Sequence, residues 1–570
     1  MKHNIRKTIG LFLIASLLLI RFADIGAWSS FRNENGSDHA NTIFAKTPTN
    51  PETTGAKWQK KFVETSATAY DSVPIITGSN IYIVCKNVLY ELDMDGNILS
   101  SLTLAKSMNS ICNMSLYENK LFIPLSGGTM QCVSTGNLSS LWISEEFGLQ
   151  SLTTTYCQDG FVYAGTTNAD GSDGLYYCLD ASDGKTIWTY KNESAPCGFY
   201  WSGAISASRS AESSDTEIPA RPLLFGGDNG ILVSHSRTED IVYDTFHLSD
   251  ITGSSGSIRA GITYDSVTDA YYTTTNNGYL YKIKINTNGC FHSVESVFLG
   301  DMPSASVNCT STPTIYNNRI YVCSYYNSQG LISVIDAVSL KQIYSVTCDG
   351  LKDIKSSPLV STGYATETNN DKVYVYFTQN FAPGGIYYIE DDSEACSSEI
   401  KTLFLPENGK QFCMSSIAAG SDGTLYYSND SGTLFAINEG YAQKNSPAPS
   451  ASAMPPSSAV PTASTEIPSS GTQKTDTKQS AINTRRPEKP TKIKYKIKQK
   501  TNKKFKITFT WKKGKYSKKT LIKIPGKKKI LLSGKKRSIL LKKGKYTIRF
   551  YGYCSSTRKS SPAKIKIKLK

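Results

Sequence analysis

Apolar and polar positions along this chain alternate in short bursts rather than at helical spacing, and the bursts recur. The kernel is an apolar, usually aromatic-centred triplet: Ile81-Tyr82-Ile83, Leu121-Phe122-Ile123, Val162-Tyr163-Ala164, Leu223-Leu224-Phe225, Tyr271-Tyr272-Thr273, Ile320-Tyr321-Val322, Val373-Tyr374-Val375 and Leu425-Tyr426-Tyr427. The middle residues lie 40, 41, 61, 48, 49, 53 and 52 positions apart. A turn bearing Gly or Asn and a second strand follow nearly every kernel. A unit of this length repeated along a chain predicts blades or solenoid turns. The best-formed unit covers residues 160–190 and reads strand by strand. Phe161 to Gly165 runs out, Asp170-Gly171 and Asp173-Gly174 reverse the chain, Leu175 to Asp180 returns, Asp183-Gly184 turns again, and Thr186 to Tyr190 runs outward. Asp-Gly suits such hairpins because its glycine adopts positive φ without a Cβ clash. A meander of short antiparallel strands repeated radially is a propeller.

Closure of the ring is also predicted. The eighth unit ends near Asn438 without an outer strand of the Thr-Ile-Trp-Thr type, whereas an orphan strand of that type, Lys57 to Phe62, precedes the first unit. If that early strand completes the last blade, placing Trp58 and Phe62 by the sheet of Tyr426, no sheet edge stays open at the join. The fold expected is therefore all-β: an eight-bladed β-propeller with four-stranded antiparallel blades, plus a small C-terminal β-sandwich. The expected divisions are a signal peptide at 1–27, the propeller at 28–442, a Pro/Ser/Thr-rich linker at 443–486 and a Lys-rich sandwich at 487–570.

These repeat residues resemble the PQQ-like β-propeller family, whose blades read Gly-x-apolar-Tyr-apolar-Gly, turn, Gly-x-apolar-Tyr-x-apolar-Asp, Gly, Trp. The match spans roughly residues 28 to 440, is close in the third, sixth and eighth units, and is loose in the fourth, which carries a polar insertion at 207–219. The opening at Trp28 resembles the segment before the first blade in that family. At the other end, RPEKPTKIK, a central Trp511, the Tyr546 segment and Ser560-Ser561-Pro562 resemble a fibronectin type III-like domain of the kind appended to Gram-positive surface proteins.

Charge changes the picture next. The chain carries +16 overall, yet residues 491–570 hold 30 of the 63 Lys and Arg and no Asp or Glu. The other 490 residues thus carry 33 basic against 47 acidic residues and are net negative. A field of that strength on so small a domain attracts polyanions. Lys outnumbers Arg there by 27 to 3, which fits diffuse attraction more than bidentate reading of phosphates or bases. Anionic cell-wall polymers are the expected partner and nucleic acid is disfavoured. The clusters Lys527, Lys528 and Lys529, then Lys535, Lys536 and Arg537, then Lys542 and Lys543 are the candidate contacts. A lysine surface serving only solubility is the alternative.

The N-terminus has Lys2, Arg6 and Lys7 before an apolar run from Ile9 to Ile20. That run is short for a bilayer and reads as an export signal cleaved after Ala27, with an uncleaved anchor as the alternative and no stable membrane span once the signal is removed. Thirteen Cys in an exported chain raise disulfides such as Cys157 with Cys178 or Cys309 with Cys323, but most sit in strand-like runs and read as small buried apolar residues.

Candidate chemistry is sparse. The resemblance to a family whose wider fold includes quinoproteins implies a test for pyrroloquinoline quinone, calcium and haem. No vicinal Cys pair, CxxCH motif or recognisable calcium set accompanies it, so no cofactor, metal site or catalytic residue is expected. His235 and His247 read as loop histidines, and Asp93 to Gly96 and Asp180 to Gly184 read as hairpin turns rather than calcium loops. The chain therefore reads as a secreted, surface-associated scaffold whose propeller binds a protein or glycan. An extracellular quinoprotein-like oxidoreductase or carbohydrate-active enzyme is the alternative, with an envelope-assembly factor third.

Overall fold

A Tyr-rich apolar triplet between turn residues satisfies its backbone only by pairing on both sides, and each of the eight kernels lies on an inner strand of a sheet, paired on both sides. The computed structural model describes residues 28–442 and 489–569, apart from 31–39, 63–71, 109–111, 149, 152–153, 168–173, 201–203, 206–221, 255, 287, 301–305, 349, 502–503, 514–518, 525–529, 533–535 and 554–562. The segments expected as signal peptide (1–27) and linker (443–486), and the polar insertion at 207–219, lie outside the described residues. Two compact units divide between Pro447 and Ala448.

The described residues of the first unit form eight sheets, blades 1 to 8. Blade 1 comprises Ile75–Ile76, Asn80–Cys85, Val88–Asp93 and Ile98–Thr103. Blade 2 comprises Ser115–Tyr117, Lys120–Leu125, Thr129–Ser134 and Ser139–Ile143. Blade 3 begins with Gln150–Ser151 and Tyr156–Gln158 and continues through Phe161–Thr167, Tyr176–Asp180 and Thr186–Tyr190. Blade 4 holds Ala204–Ile205, Leu223–Gly226, Ile231–His235 and Val242–His247. Blade 5 holds Thr263–Asp265, Ala270–Thr274, Tyr279–Ile285 and Phe291–Phe298. Blade 6 runs through Val307–Asn308, Thr314–Tyr316, Arg319–Tyr326, Gln329–Asp336 and Lys341–Thr347. Blade 7 has Leu359–Ser361, Val373–Thr378, Ile386–Asp391 and Lys401–Phe404, and blade 8 has Ala418–Ala419, Leu425–Asn429 and Thr433–Glu439.

The segment before blade 1 ties three blades together. Trp28 exchanges backbone hydrogen bonds with Ile76 of blade 1, at 2.6 and 3.0 Å. Thr42–Ile43 adds a parallel strand beside Leu359–Ser361 of blade 7, where the hydroxyls of Tyr376 and Tyr388 donate to the carbonyls of Pro48 and Thr49. Thr54–Lys61 then pairs antiparallel with Thr433–Glu439, from Thr54 opposite Glu439 to Lys61 opposite Thr433, and becomes the outer strand of blade 8. Trp58 meets Tyr426 at 5.9 Å between ring centroids, and Phe62 meets Tyr90 of blade 1 at 4.8 Å.

Neighbouring blades are joined at both ends of the sheet. At the inner end, a polar residue two places before the first strand accepts from the backbone of the blade before it. Val73 N donates to Asn113 Oδ1 at 2.8 Å, Gly261 N to Thr312 Oγ1 at 2.8 Å, Thr312 N to Ser357 Oγ at 3.0 Å, and Ser357 N to Ser416 Oγ at 2.9 Å. At the outer end of three junctions, a tryptophan following a bulge in the last strand reaches the next blade's turn. The Nε1 atoms of Trp58, Trp142 and Trp188 donate to the carbonyls of Met94, Ala181 and Arg237 at 3.0, 3.4 and 3.1 Å. Two of those turns need glycine for the purpose. A Cβ on Gly96 or Gly184, both at positive φ, would stand 2.7 Å from the Trp58 ring or 2.4 Å from the Trp142 ring.

No two of the twelve described cysteines are bonded to each other. Strand alternation separates Cys157 from Cys178. Cys157 is opposite Val162 while Cys178 is opposite Tyr163, so their side chains leave the sheet on opposite faces. Cys309 and Cys323 belong to different clusters of the core, and the Cys309 thiol donates to the Cys323 carbonyl at 3.3 Å.

The second unit is a two-sheet sandwich. One sheet orders Thr491–Thr501, Lys504–Lys512 and Lys536–Lys542; the other orders Ile530–Leu532, Lys519–Lys523, Gly544–Tyr553 and Ala563–Leu569. Phe505, Ile507, Phe509, Trp511, Ile522, Ile548, Phe550 and Ile567 form the core between them. Trp511 Nε1 donates to Thr520 Oγ1 at 2.8 Å, and the Tyr546 hydroxyl donates back to the Lys542 carbonyl at 3.1 Å.

Candidate polyanion-binding faces

Period-two sequences such as AKIKIKLK put every second side chain into the core and the rest into solvent, so their lysines must share one face of a sheet. Of the basic residues singled out from the sequence, Lys527, Lys528, Lys529 and Lys535 lie outside the described residues. Lys536 and Lys542 are exposed on the third strand of the first sheet, Lys543 is exposed just beyond it, and Arg537 lies on the same strand.

The faces of the sheets carry further exposed cations outside those clusters. On the first sheet, Lys494, Thr510 and Lys536 form one outward rung, and Lys496 stands opposite Thr508 in the next. On the second sheet, Lys545 stands opposite Lys568, Thr547 opposite Lys566, and Arg549 opposite Lys564, and all five cations are exposed. Sequence reasoning placed lysine on the outside of these strands but not in this cross-strand register, which depends on how the strands pair.

The propeller offers a different kind of surface. Phe381 and Phe412 meet edge to face at 5.6 Å, each 40% exposed, on the loops at 379–385 and 405–417. The exposed Leu405, on the second of these loops, packs against Gly385 on the first. This group was not foreseen, because exposed aromatics on loops look like any other loop residues in one sequence.

The histidines differ from expectation. His235 ends a strand of blade 4 and is fully buried, its ring 4.1 Å from Trp188 and close to Tyr190 and Phe225. Its Nδ1–H donates to the Ser236 carbonyl at 2.7 Å, while Nε2 is buried with no hydrogen-bond partner and 3.8 Å from Asp240. His247 pairs with Ile231 at the far end of the same two strands, so the two histidines do not meet. Burial pushes the His235 imidazole below its ordinary value of 6.5. A base depressed in this way contributes stability above its unfolded pKa and loses it as pH falls through that value. Thermal unfolding measured from about pH 8 to pH 5 is therefore expected to show falling stability below about pH 6.5, and His235→Gln should flatten that fall.

The Asp93 and Asp180 loops are turns held by their own carboxylates. Asp93 Oδ1 accepts from the backbones of Asp95 and Asn97, and Asp180 Oδ1 from Ser182. Among the described residues no three His, Cys, Asp or Glu side chains gather where they could hold a metal ion.

No family model and no curated protein matches the chain. Among solved structures, quinohemoprotein alcohol dehydrogenases from Comamonas testosteroni and Pseudomonas putida HK5 align with TM-scores of 0.54 at 10% and 11% identity, each covering 75% of this chain and 82% of the other. A europium-containing methanol dehydrogenase aligns at 0.52 and 10% identity over 74% of this chain and 99% of its own. The first unit thus has the β-propeller fold of the PQQ-dependent dehydrogenases, a likeness of fold at this level of identity.

Proposed function

We propose that this chain is a secreted, cell-surface-associated binding protein of Gram-positive type. Its propeller engages a protein or glycan, and its lysine-rich sandwich holds it to anionic envelope polymers. The observation that carries the reading is the pair of exposed lysine faces in a domain with no Asp or Glu from residue 491 to 570. The strand order of the sandwich and the Tyr546 hydroxyl turned back to Lys542 support a fibronectin type III-like domain. Exposed Phe381 and Phe412 supply apolar contact area on the propeller loops. Among the described residues no helix is long and apolar enough to cross a membrane.

Attachment of this kind is electrostatic and screened by salt. Washing cells with about 1 M salt is expected to release the protein, and mild detergent at low salt to leave it in place. Release by detergent alone would overturn the reading. The fold likeness to dehydrogenases favours a second reading, an extracellular oxidoreductase. Its test is the absorbance of the purified chain after incubation with pyrroloquinoline quinone and calcium, where a retained quinone spectrum would support it.

A further inference from the structure

Most solvated lysine surfaces intersperse both signs, and a lysine serving solubility gains nothing by facing another lysine. The Gly544–Tyr553 and Ala563–Leu569 pair does the opposite. Three successive outward rungs, Lys545 with Lys568, Thr547 with Lys566 and Arg549 with Lys564, carry five exposed cations and no anion. Side chains directly opposite in an antiparallel pair stand about 5 Å apart at Cβ, and like charges so placed are destabilising. Along each strand, successive outward residues are about 7 Å apart. Every cation on the ladder is therefore within a Debye length, about 8 Å at physiological salt, of the next, and their fields add. Residues 491–570 contain no Asp or Glu side chain that could relieve the repulsion.

From this juxtaposition we infer that the outer face of the second sandwich sheet, built on Lys545, Arg549, Lys564, Lys566 and Lys568, is the binding face for a linear phosphodiester polymer laid along the strands. The inference rests on the polyanion reading above and deepens it. The ligand class follows from the chemistry of the cations. Four of the five are lysines, compact point charges that suit diffuse pairing with the singly charged phosphates of a diester chain more than bidentate reading of one group. A line of evenly spaced charges also matches a repeating chain better than a single anion. Binding removes the repulsion between rungs, so the bound polymer stabilises the sandwich by linkage.

The test uses the full chain and a fluorescent 1,3-glycerol phosphate oligomer, with polyglutamate of equal charge and a DNA duplex as competitors. K545S/K566S/K568S is compared with K527S/K528S/K529S. Loss of three phosphate contacts is expected to weaken oligomer binding on the order of fifty-fold at about 0.15 M salt and to lower the slope of log affinity against log salt by about 2. K527S/K528S/K529S should change affinity much less. In the wild-type chain the oligomer should also protect Lys545, Lys566 and Lys568 from amine acetylation, a readout that needs no variant to fold. Equal loss in both variants, absence of that protection, or preference for polyglutamate or duplex DNA overturns the assignment of face and ligand while leaving a polyanion-binding domain. Failure of the wild-type chain to bind any of the three polymers overturns the proposed function as well.

Discussion

Replacing Asp391 with alanine is expected to destabilise the propeller by about 3–5 kcal/mol, because it leaves a buried guanidinium without its counter-charge. Asp391 ends the third strand of blade 7 with no side-chain exposure. Both of its oxygens accept from Arg319 Nη1 of blade 6, at 3.0 and 3.1 Å, and Arg319 Nη2 donates to the Ala395 carbonyl at 2.8 Å. The hydroxyls of Tyr321 and Tyr344 donate to the same carboxylate at 2.8 and 2.7 Å. Burial pushes the Asp391 carboxyl above its usual value, and these donors, Tyr344 foremost, pull it back. Tyr344 follows a bulge in the outer strand of blade 6, the place that Trp58, Trp142 and Trp188 hold in theirs. The junction of blades 6 and 7 therefore uses a carboxylate where other junctions seat an indole on a turn. Chemical denaturation of Asp391→Ala should show the loss, and the apolar double variant Arg319→Met/Asp391→Leu should recover most of it. A single variant as stable as the wild type would remove the pair from the structural account.

The second large effect is expected at the ring closure. Trp58→Ala should cost about 3 kcal/mol, the low end for a tryptophan truncation because this side chain is only half-buried. It removes the contact with Tyr426, the hydrogen bond to Met94 and the ring that fills the seat above Gly96. Its signature is local as well as global. Hydrogen exchange should quicken in Thr433–Glu439, whose outer partner is Thr54–Lys61, while Trp142→Ala should weaken the protein without that change. If exchange in Thr433–Glu439 is unaltered, Trp58 is not what holds the ring shut.

Much of the architecture is legible in the residues themselves. Each kernel needs pairing on both sides and is bounded by turn residues, so an inner strand of every blade can be read locally. The unpaired Trp-bearing strand before blade 1 likewise predicts its partner, because the last unit lacks an outer strand. Period-two lysines place the sandwich's charge outside its core before any coordinates are known.

What only the tertiary structure decided is which residues face each other across chain distances that carry no local signal. Asp391 looks like a turn residue until Arg319, 72 positions away, is folded against it. His235 looks like a loop histidine until Trp188 covers it, and Thr42–Ile43 show no sign of the parallel partner they find beside Val360. Lysines on two strands become a ladder of like charges only once the register is set. Register and long-range contact depend on the packing of the whole unit, whereas strand and turn preferences are properties of a few neighbouring residues.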